Sequence, residues 1–247
     1  MKHIAWEVRL GLILILSSVF LYLFHYVIFL DTHHILIYMI GDLAFLPIEV
    51  LLVTLVIHRL LSSREKQEVM EKMNMVIGAF YSEVGTRMLS YLSEFDPKLE
   101  EIRNELIMTQ DWSDERFANV STRLRKHEYR IEIQKVDLQY LRSYFVEKRD
   151  FLLRLLENPN LLEHESFTEL LRAVFHLTEE LVKRDEMKQL PESDLKHLKG
   201  DIERAYGSVV YQWLDYMKYL KNNYPYLFSL AIRTNPFDQS ASVIVKT

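Results

Sequence analysis

The sequence predicts an all-α protein in which a two-helix transmembrane hairpin precedes a cytoplasmic α-helical bundle. Residues 10–30 and 35–57 are two apolar runs, each with fifteen Leu, Ile, Val or Phe residues, and they predict the hairpin. Beyond them, apolar residues recur at spacings of three and four without an alternating strand pattern, which predicts the bundle. We therefore expect a hairpin in residues 1–60, a helical domain in 61–236 and a loose polar tail in 237–247.

The first apolar run is long enough to cross a membrane. It contains 21 residues without a charge, and about 20 apolar residues span a hydrocarbon core of about 30 Å. Its apolar side chains favour insertion by about 4.5–9 kcal/mol in total. A cleaved signal peptide is the alternative, because Lys2 and Arg9 precede the run. The run is too long for that, and no small-residue cleavage site follows it, so we predict an anchor.

The second apolar run carries two acidic residues, Asp42 and Glu49. Each opposes insertion by about 2.5–3.5 kcal/mol near the centre of a span, so together they nearly cancel the apolar gain. We expect this span to insert as a hairpin with the first, joined by the short loop 31–34. The loop has no Lys or Arg. Lys2 and Arg9 instead precede the first span, and Arg59, Arg64, Lys66 and Lys72 follow the second. Both termini are therefore expected in the cytoplasm.

Helix boundaries after the hairpin follow from proline, asparagine and capping residues. The second span is expected to continue as one long helix up to Asp96-Pro97. One apolar face of this helix consists of Met73, Ile77, Phe80, Val84 and Met88. Further helices are predicted over 98–108, 114–127, 130–157, from a capping box at 166–169 to about Arg184, from Pro191 to Asn223, and from Tyr224-Pro225 to Asn235-Pro236.

Composition and motifs argue against several kinds of function. The chain has no cysteine, which excludes disulfides, Cys-ligated zinc and thiol catalysis. It has a net charge of −5 and no basic tract, so we expect no nucleic-acid partner. Hydrolase, kinase and Rossmann motifs are absent, and we predict no enzyme activity, no catalytic residue and no cofactor. A di-iron bundle needs paired Glu-x-x-His motifs, and Asp194-x-x-His197 and His176-x-x-Glu179 only approximate them, so no metal site is predicted.

The two acids of the second run lie on one stripe of the helix. Asp42 and Glu49 are seven residues apart, which places them within about 20° of one another and roughly 10 Å apart along the axis. Pro47 lacks a backbone N–H, so it frees the carbonyl of Leu43 and is expected to kink the helix. Such a span can bind a cation, relay protons or line a pore. The alternative is a pair of protonated or hydrogen-bonded acids that hold helices together.

Histidines lie near the outer end of the hairpin. His25 and Asp42 are both expected roughly 8–10 Å below the outer boundary, so a hydrogen bond between them is one hypothesis. A bond from His25 to the hydroxyl of Tyr22 or Tyr38 is the other. The loop 31–34 has the sequence Asp-Thr-His-His, which offers metal ligands only if several subunits contribute. We interpret it as a turn.

Small residues follow the second span. Gly78, Ser82 and Gly85 fall at spacings of four and three and predict a stripe for close helix packing. Two glycines inside a helix cost stability unless such packing compensates. The packing partner is either another subunit or another helix of the same chain.

Three segments carry a resemblance to a known family. Residues 41–49 (GDLAFLPIE), 224–228 (YPYLF) and 233–237 (RTNPF) resemble an uncharacterised family of prokaryotic two-span membrane proteins. The resemblance covers most of the chain. It implies a bacterial or archaeal inner membrane, and it implies no activity and no functional residue.

These features together predict a multi-pass membrane protein that contacts the lipid bilayer. Two hypotheses of its function follow. In the first, the chain forms a homo-oligomer with an ion pathway or ion-sensing site on the second span, and the cytoplasmic bundle gates or assembles it. In the second, the chain is a membrane-anchored adaptor whose cytoplasmic domain recruits a protein partner. The first expects Asp42 to face a symmetry axis or cavity, and the second expects it to face the first helix.

Overall fold

The chain is built from α-helices joined by short turns. The computed structural model describes residues 2–245, apart from the side chains of residues 2–5, 7 and 162, and contains no β-strand within that part. The all-α prediction is therefore confirmed. The chain divides into two compact units, of which the first ends at Glu65 and the second begins at Lys66.

The second predicted span does continue as one long helix. A π-helical turn (Tyr81–Gly85) follows the second α-helix directly, so the helical segment is continuous from Thr32 to Ser93. In the described chain the α-helices are α1 (Lys2–Phe29), α2 (Thr32–Phe80), α3 (Thr86–Ser93), α4 (Arg103–Leu106), α5 (Asp114–Lys126), α6 (Leu138–Leu156), α7 (Glu165–Val182), α8 (Glu192–Asn223) and α9 (Pro225–Arg233). Short 3-10 turns occupy Leu99–Glu101, Ile133–Lys135 and Pro159–Glu163.

The first unit contains α1 and the first part of α2, and its described large apolar side chains are exposed except for the half-buried Ile35. By length and composition, the helices of this unit are long and apolar enough to cross a membrane. Their exposed side chains include Ile15, Phe20, Val27, Leu43 and Leu52.

The second unit has its own hydrophobic core, with α8 at the centre. Helices α3, α5, α7 and α9 all pack on α8, and α6 packs on α7. The predicted apolar face of the long helix is confirmed, because each of its five members is buried: Met73, Ile77, Phe80, Val84 and Met88.

The π-helical turn between α2 and α3 is fixed by two tyrosines. A π turn displaces the regular helical ladder, so backbone carbonyls there need other donors. The Tyr144 hydroxyl on α6 lies 3.1 Å from the carbonyl oxygens of Glu83 and Val84. The Tyr81 hydroxyl donates to the Val209 carbonyl on α8 at 2.8 Å. Burial raises the pKa of both phenols, so both remain hydrogen-bond donors.

The predicted capping box at 166–169 is wrong. Helix α7 begins at Glu165, because the His164 ring rather than a serine caps it. The His164 Nδ1 accepts a hydrogen bond from the Phe167 backbone N–H at 3.3 Å. Burial lowers the pKa of His164, which keeps its ring neutral and able to accept this bond.

Two other predicted helices have different bounds. The helix predicted over 130–157 starts at Leu138, because Asp137 adopts an extended conformation and its carboxylate accepts from the Tyr140 N–H at 2.9 Å. The single helix predicted over 98–108 is instead a 3-10 turn followed by the one-turn α4.

The predicted tail, 237–247, starts inside the core. The Phe237 ring is fully buried and meets the Trp213 ring edge-on, with centroids 5.0 Å apart. The core therefore extends to Phe237. The last two residues of the predicted tail, 246 and 247, lie outside the described part of the chain.

Gly85 and Gly200 form a matched pair for testing this packing. A Cβ at Gly85 would lie 2.5 Å from Tyr81 Cδ1 and 2.8 Å from Phe80 Cε1. Since both rings are buried, Gly85→Ala is expected to lower the free energy of unfolding by about 1–3 kcal/mol. At Gly200 no atom of the described part of the chain lies within 4 Å of a Cβ. Gly200→Ala is therefore expected to raise the free energy of unfolding by about 0.5–1 kcal/mol through helix propensity. Denaturant titration of the full chain in detergent measures both, and shifts of the same sign would contradict this packing.

Candidate functional site

The junction between α1 and α2 is a turn capped by Asp31. Leu30 adopts a positive φ of 52°, and the Asp31 Oδ1 accepts a hydrogen bond from the His34 backbone N–H at 3.1 Å. This bond lowers the pKa of Asp31. Capping engages the carboxylate, which supports a turn rather than a metal site. The turn is shorter than predicted, because residues 32–34 already form the first turn of α2.

His25 lies near this turn and contacts aromatic rings instead of an acid. Its ring centroid lies 4.7 Å from that of Phe29, and it stacks on His34 with centroids 6.2 Å apart and an interplanar angle of 11°. Its Nε2 is buried without a hydrogen-bond partner in the described chain. The predicted hydrogen bond to Asp42 is therefore not formed, because the ring packs against His34, about two helical turns before Asp42.

The predicted ion-site residues of α2 are exposed, as is every residue of this helix from 36 to 68. Helix α2 continues through Pro47 without interruption. Asp42 and Glu49 are both exposed, so α1 does not cover either carboxylate. The structure brings these acids together only as neighbours on one stripe of one helix.

The three small residues do not form a single stripe. A Cβ at Gly78 would lie 2.8 Å from the Tyr216 hydroxyl oxygen on α8, and Gly85 is enclosed by aromatic rings of its own helical segment. Ser82 is exposed, because the π-helical turn alters the spacing on which the predicted stripe depends. Packing inside the chain therefore accounts for both glycines.

Two histidines and two acids converge where α7 packs on α8. His176 and Glu180 are four residues apart on α7, and His197 and Asp201 are four apart on α8, so each pair shares one helix face. The Asp201 Oδ2 lies 3.5 Å from the His176 Nε2 and 3.2 Å from the His197 Nε2. Glu180 oxygens lie 4.0 and 3.7 Å from the same two nitrogens. We call these four residues the α7–α8 cluster.

Asp201 is the buried member of the α7–α8 cluster. Its side chain is 2% exposed, whereas those of His176 and His197 are 47% and 53% exposed. Its Oδ1 pairs with the Arg204 guanidinium at 3.3 Å. Its Oδ2 has no hydrogen-bond partner among the described residues, although both ring nitrogens are near. A buried carboxylate oxygen without a donor is costly, so a cation or protonated imidazole is needed beside it.

Glu180 is held in place by an arginine. The Arg184 Nη1 lies 2.7 Å from Glu180 Oε2, and the same guanidinium donates to both oxygens of Asp194 at 2.9 and 2.7 Å. The hydrogen bonds from Arg184 lower the pKa of Glu180 and of Asp194, and they raise the pKa of Arg184 itself. Glu180 is therefore an ionised carboxylate beside the two imidazoles.

The α7–α8 cluster does not have the Glu-x-x-His spacing of a di-iron bundle, so it was not predicted from the sequence. Two patterns were present, His-x-x-x-Glu at 176–180 and His-x-x-x-Asp at 197–201. A spacing of four places two side chains one turn apart on the same face of a helix. The prediction of no metal-binding residue did not take this spacing into account.

Comparison with known proteins shows the family. A family model described as "MJ1433, N-terminal helical domain" matches residues 2–61, and one described as "Uncharacterized protein MJ1433, C-terminal helical domain" matches residues 69–233. The chain is 46% identical over 235 residues to "Uncharacterized protein MJ1433" of Methanocaldococcus jannaschii, which covers 95% of this chain and 94% of the relative. No solved structure matches the chain. The predicted resemblance to an uncharacterised family is confirmed for its helical domains, and the chain belongs to the MJ1433 family.

Proposed function

We propose that the chain is a two-span integral membrane protein, with α1 and the first part of α2 in the bilayer. Both segments have the length and composition of membrane spans. Their large apolar side chains are exposed along the whole first unit, for example at Ile15, Phe20 and Leu52. A lipid environment covers such a surface, and a helix pairs most of its backbone groups within itself, as hydrocarbon requires.

In this proposal the second unit and both termini lie on the cytoplasmic side of a prokaryotic inner membrane. Arg9 precedes the first span, and Arg59 and Arg64 follow the second apolar run. The turn 31–34 has no Lys or Arg. Basic residues flank spans on the cytoplasmic side, so the turn is the translocated end.

We propose further that α2 carries an ion pathway or ion-sensing site formed between copies of the chain. The observation that carries this proposal is that two exposed residues of the apolar run, Asp42 and Glu49, are acids on one stripe of α2. A carboxylate that α1 does not cover would face hydrocarbon in a monomer, at a cost of about 2.5–3.5 kcal/mol. Copies of α2 around an axis would enclose Asp42 and Glu49 and give a cation or water access to both. The second unit then gates or assembles the oligomer.

Removing the two charges is expected to lower cation flux. Asp42→Asn and Glu49→Gln keep the shape and most of the hydrogen bonding of each side chain but remove the charge that attracts a cation. The double variant is expected to conduct about tenfold less, since a loss of about 1.4 kcal/mol in cation binding already lowers affinity tenfold. Flux of H⁺, Na⁺ and K⁺ into liposomes holding the purified chain measures this. Unchanged flux in the double variant would place the pathway elsewhere.

Cysteine crosslinking separates the ion pathway from the adaptor alternative. The chain has no cysteine, so a single introduced thiol reports one position. Leu46→Cys lies between the two acids on their stripe, and Leu51→Cys lies on the opposite side of α2. We expect oxidation to join copies of the first variant and to leave the second uncrosslinked. If neither variant crosslinks and the wild type conducts no ion, the chain is better explained as an adaptor that recruits a cytoplasmic protein partner.

A further inference from the structure

We propose that His176, His197 and Asp201 bind a divalent first-row transition-metal ion, with the Glu180 carboxylate beside the open coordination position. The three ligand atoms lie within 4.8 Å of one another. All belong to the second unit, so this inference does not depend on the membrane proposal.

The distances fit a metal site with little rearrangement. Ligand atoms bound tetrahedrally to Zn²⁺ at about 2.0–2.2 Å are about 3.3–3.6 Å from one another. The Asp201 Oδ2 already lies 3.2 and 3.5 Å from the two imidazole nitrogens. Small rotamer changes in two half-exposed histidines are enough to place both nitrogens on one ion.

The buried carboxylate supplies the second observation. The Asp201 Oδ2 is buried, has no hydrogen-bond partner within residues 2–245 as described, and is aimed between the two rings. An arrangement built for His–Asp hydrogen bonds would direct an imidazole N–H at this oxygen. A shared cation instead satisfies the oxygen and both ring nitrogens at the same time.

The donor set and its surroundings favour a transition metal. Imidazole suits Zn²⁺, Fe²⁺, Co²⁺ and Ni²⁺, and neither Ca²⁺ nor Mg²⁺ prefers nitrogen ligands. The negative charges of Asp201 and Glu180 together balance a divalent ion. Arg204 holds the second oxygen of Asp201 and Arg184 holds Glu180, so both carboxylates are oriented from outside the site. Three protein ligands leave a fourth position for water. A water molecule there can donate a hydrogen bond to the Glu180 carboxylate.

Metal titration of the full chain tests the proposal. The purified protein in detergent is stripped with a chelator and titrated with Zn²⁺ against a competing indicator. We expect one tight equivalent per chain and a rise in the thermal unfolding midpoint on binding. His176→Gln and His197→Gln are each expected to weaken binding by more than about 100-fold and to abolish the rise in midpoint, because loss of an outer-shell partner alone costs about 10–100-fold. Both side chains are half-exposed, so these variants are expected to fold.

Three further variants complete the test. Asp201→Asn is expected to weaken binding as the histidine variants do. His58→Gln and His33→Gln each remove an exposed histidine of α2, and His33 lies in its first turn, beside Asp31. Both are expected to bind as the wild type does. Tight binding that survives His176→Gln but is lost in His33→Gln would assign the metal to the turn and overturn the proposal. A wild type that binds no stoichiometric Zn²⁺, Co²⁺, Ni²⁺ or Fe²⁺ would also overturn it and leave protonated histidines as the partners of Asp201.

Discussion

Replacing Phe237 by alanine is expected to lower the free energy of unfolding of the second unit by about 3–5 kcal/mol. The ring is fully buried and packs edge-on against Trp213, so its removal leaves a cavity. The backbone around it is fixed, because the Phe237 N–H donates to Asn235 Oδ1 at 2.9 Å and the Arg103 Nη1 donates to the Phe237 carbonyl at 3.0 Å. These bonds oppose collapse of the chain into the cavity, so little of the lost packing can be recovered.

Ile244→Ala is the matched control for this substitution. Ile244 lies in the same C-terminal segment and is 74% exposed, so its truncation is expected to change stability by no more than about 0.5 kcal/mol. Denaturant titration of the full chain in detergent, followed by near-ultraviolet circular dichroism, compares the two variants. A loss below about 1 kcal/mol for Phe237→Ala would show that the segment after α9 is not part of the core in solution.

Helix positions could be predicted wherever a local cap or a proline sets the boundary. Helix α5 starts after Ser113, whose side chain accepts from the Arg116 N–H at 3.2 Å, and α8 and α9 start beside Pro191 and Pro225. These predictions are confirmed because the residues that decide them are adjacent in sequence.

Features that depend on distant contacts could not be predicted in this way. The π-helical turn is fixed by two hydroxyl groups. The Tyr144 hydroxyl of α6 lies beside two carbonyls of the turn, and the Tyr81 hydroxyl of the turn donates to a carbonyl of α8. The cap of α7 is His164, a residue type outside the usual helix caps, and its ring is neutral because it is partly buried. Similarly, the polar sequence after Asn235-Pro236 does not reveal that Phe237 fills a space beside Trp213.

The two candidate sites also differ in whether the local sequence is enough to predict them. The stripe of Asp42 and Glu49 follows from the period of a single helix, so the sequence alone predicts it. The α7–α8 cluster needs two helix faces to meet. A spacing of four indicates that His176 and Glu180 share a face, and likewise His197 and Asp201, but not that α7 turns its pair towards α8. That orientation depends on the apolar packing between the helices.

Deleting residues 1–30 is expected to leave a large fraction of the chain outside the membrane, and replacing two acids is expected to restore integration. The apolar residues of the second run favour insertion by about 4.5–9 kcal/mol, and its two acids oppose it by about 5–7 kcal/mol in total. Without α1 as a hairpin partner, this segment has almost no net preference for lipid. Asp42→Leu with Glu49→Leu changes the balance by about 6–8 kcal/mol in favour of insertion. The fraction of chain that resists carbonate extraction from membranes measures the effect.

Glu65→Leu is the control in the truncated chain. It also replaces an acid of α2 by leucine, but Glu65 lies beyond the apolar run, so extraction is expected to be unchanged. Rescue by the pair Asp42→Leu and Glu49→Leu, without rescue by Glu65→Leu, would assign the barrier to acids within the span. Complete integration of the truncated wild type would contradict the argument, because it would mean that Asp42 and Glu49 cost far less than about 5 kcal/mol together. The exposed acids of α2 would then need no second copy of the chain to enclose them, and the ion-pathway proposal would lose the observation on which it rests.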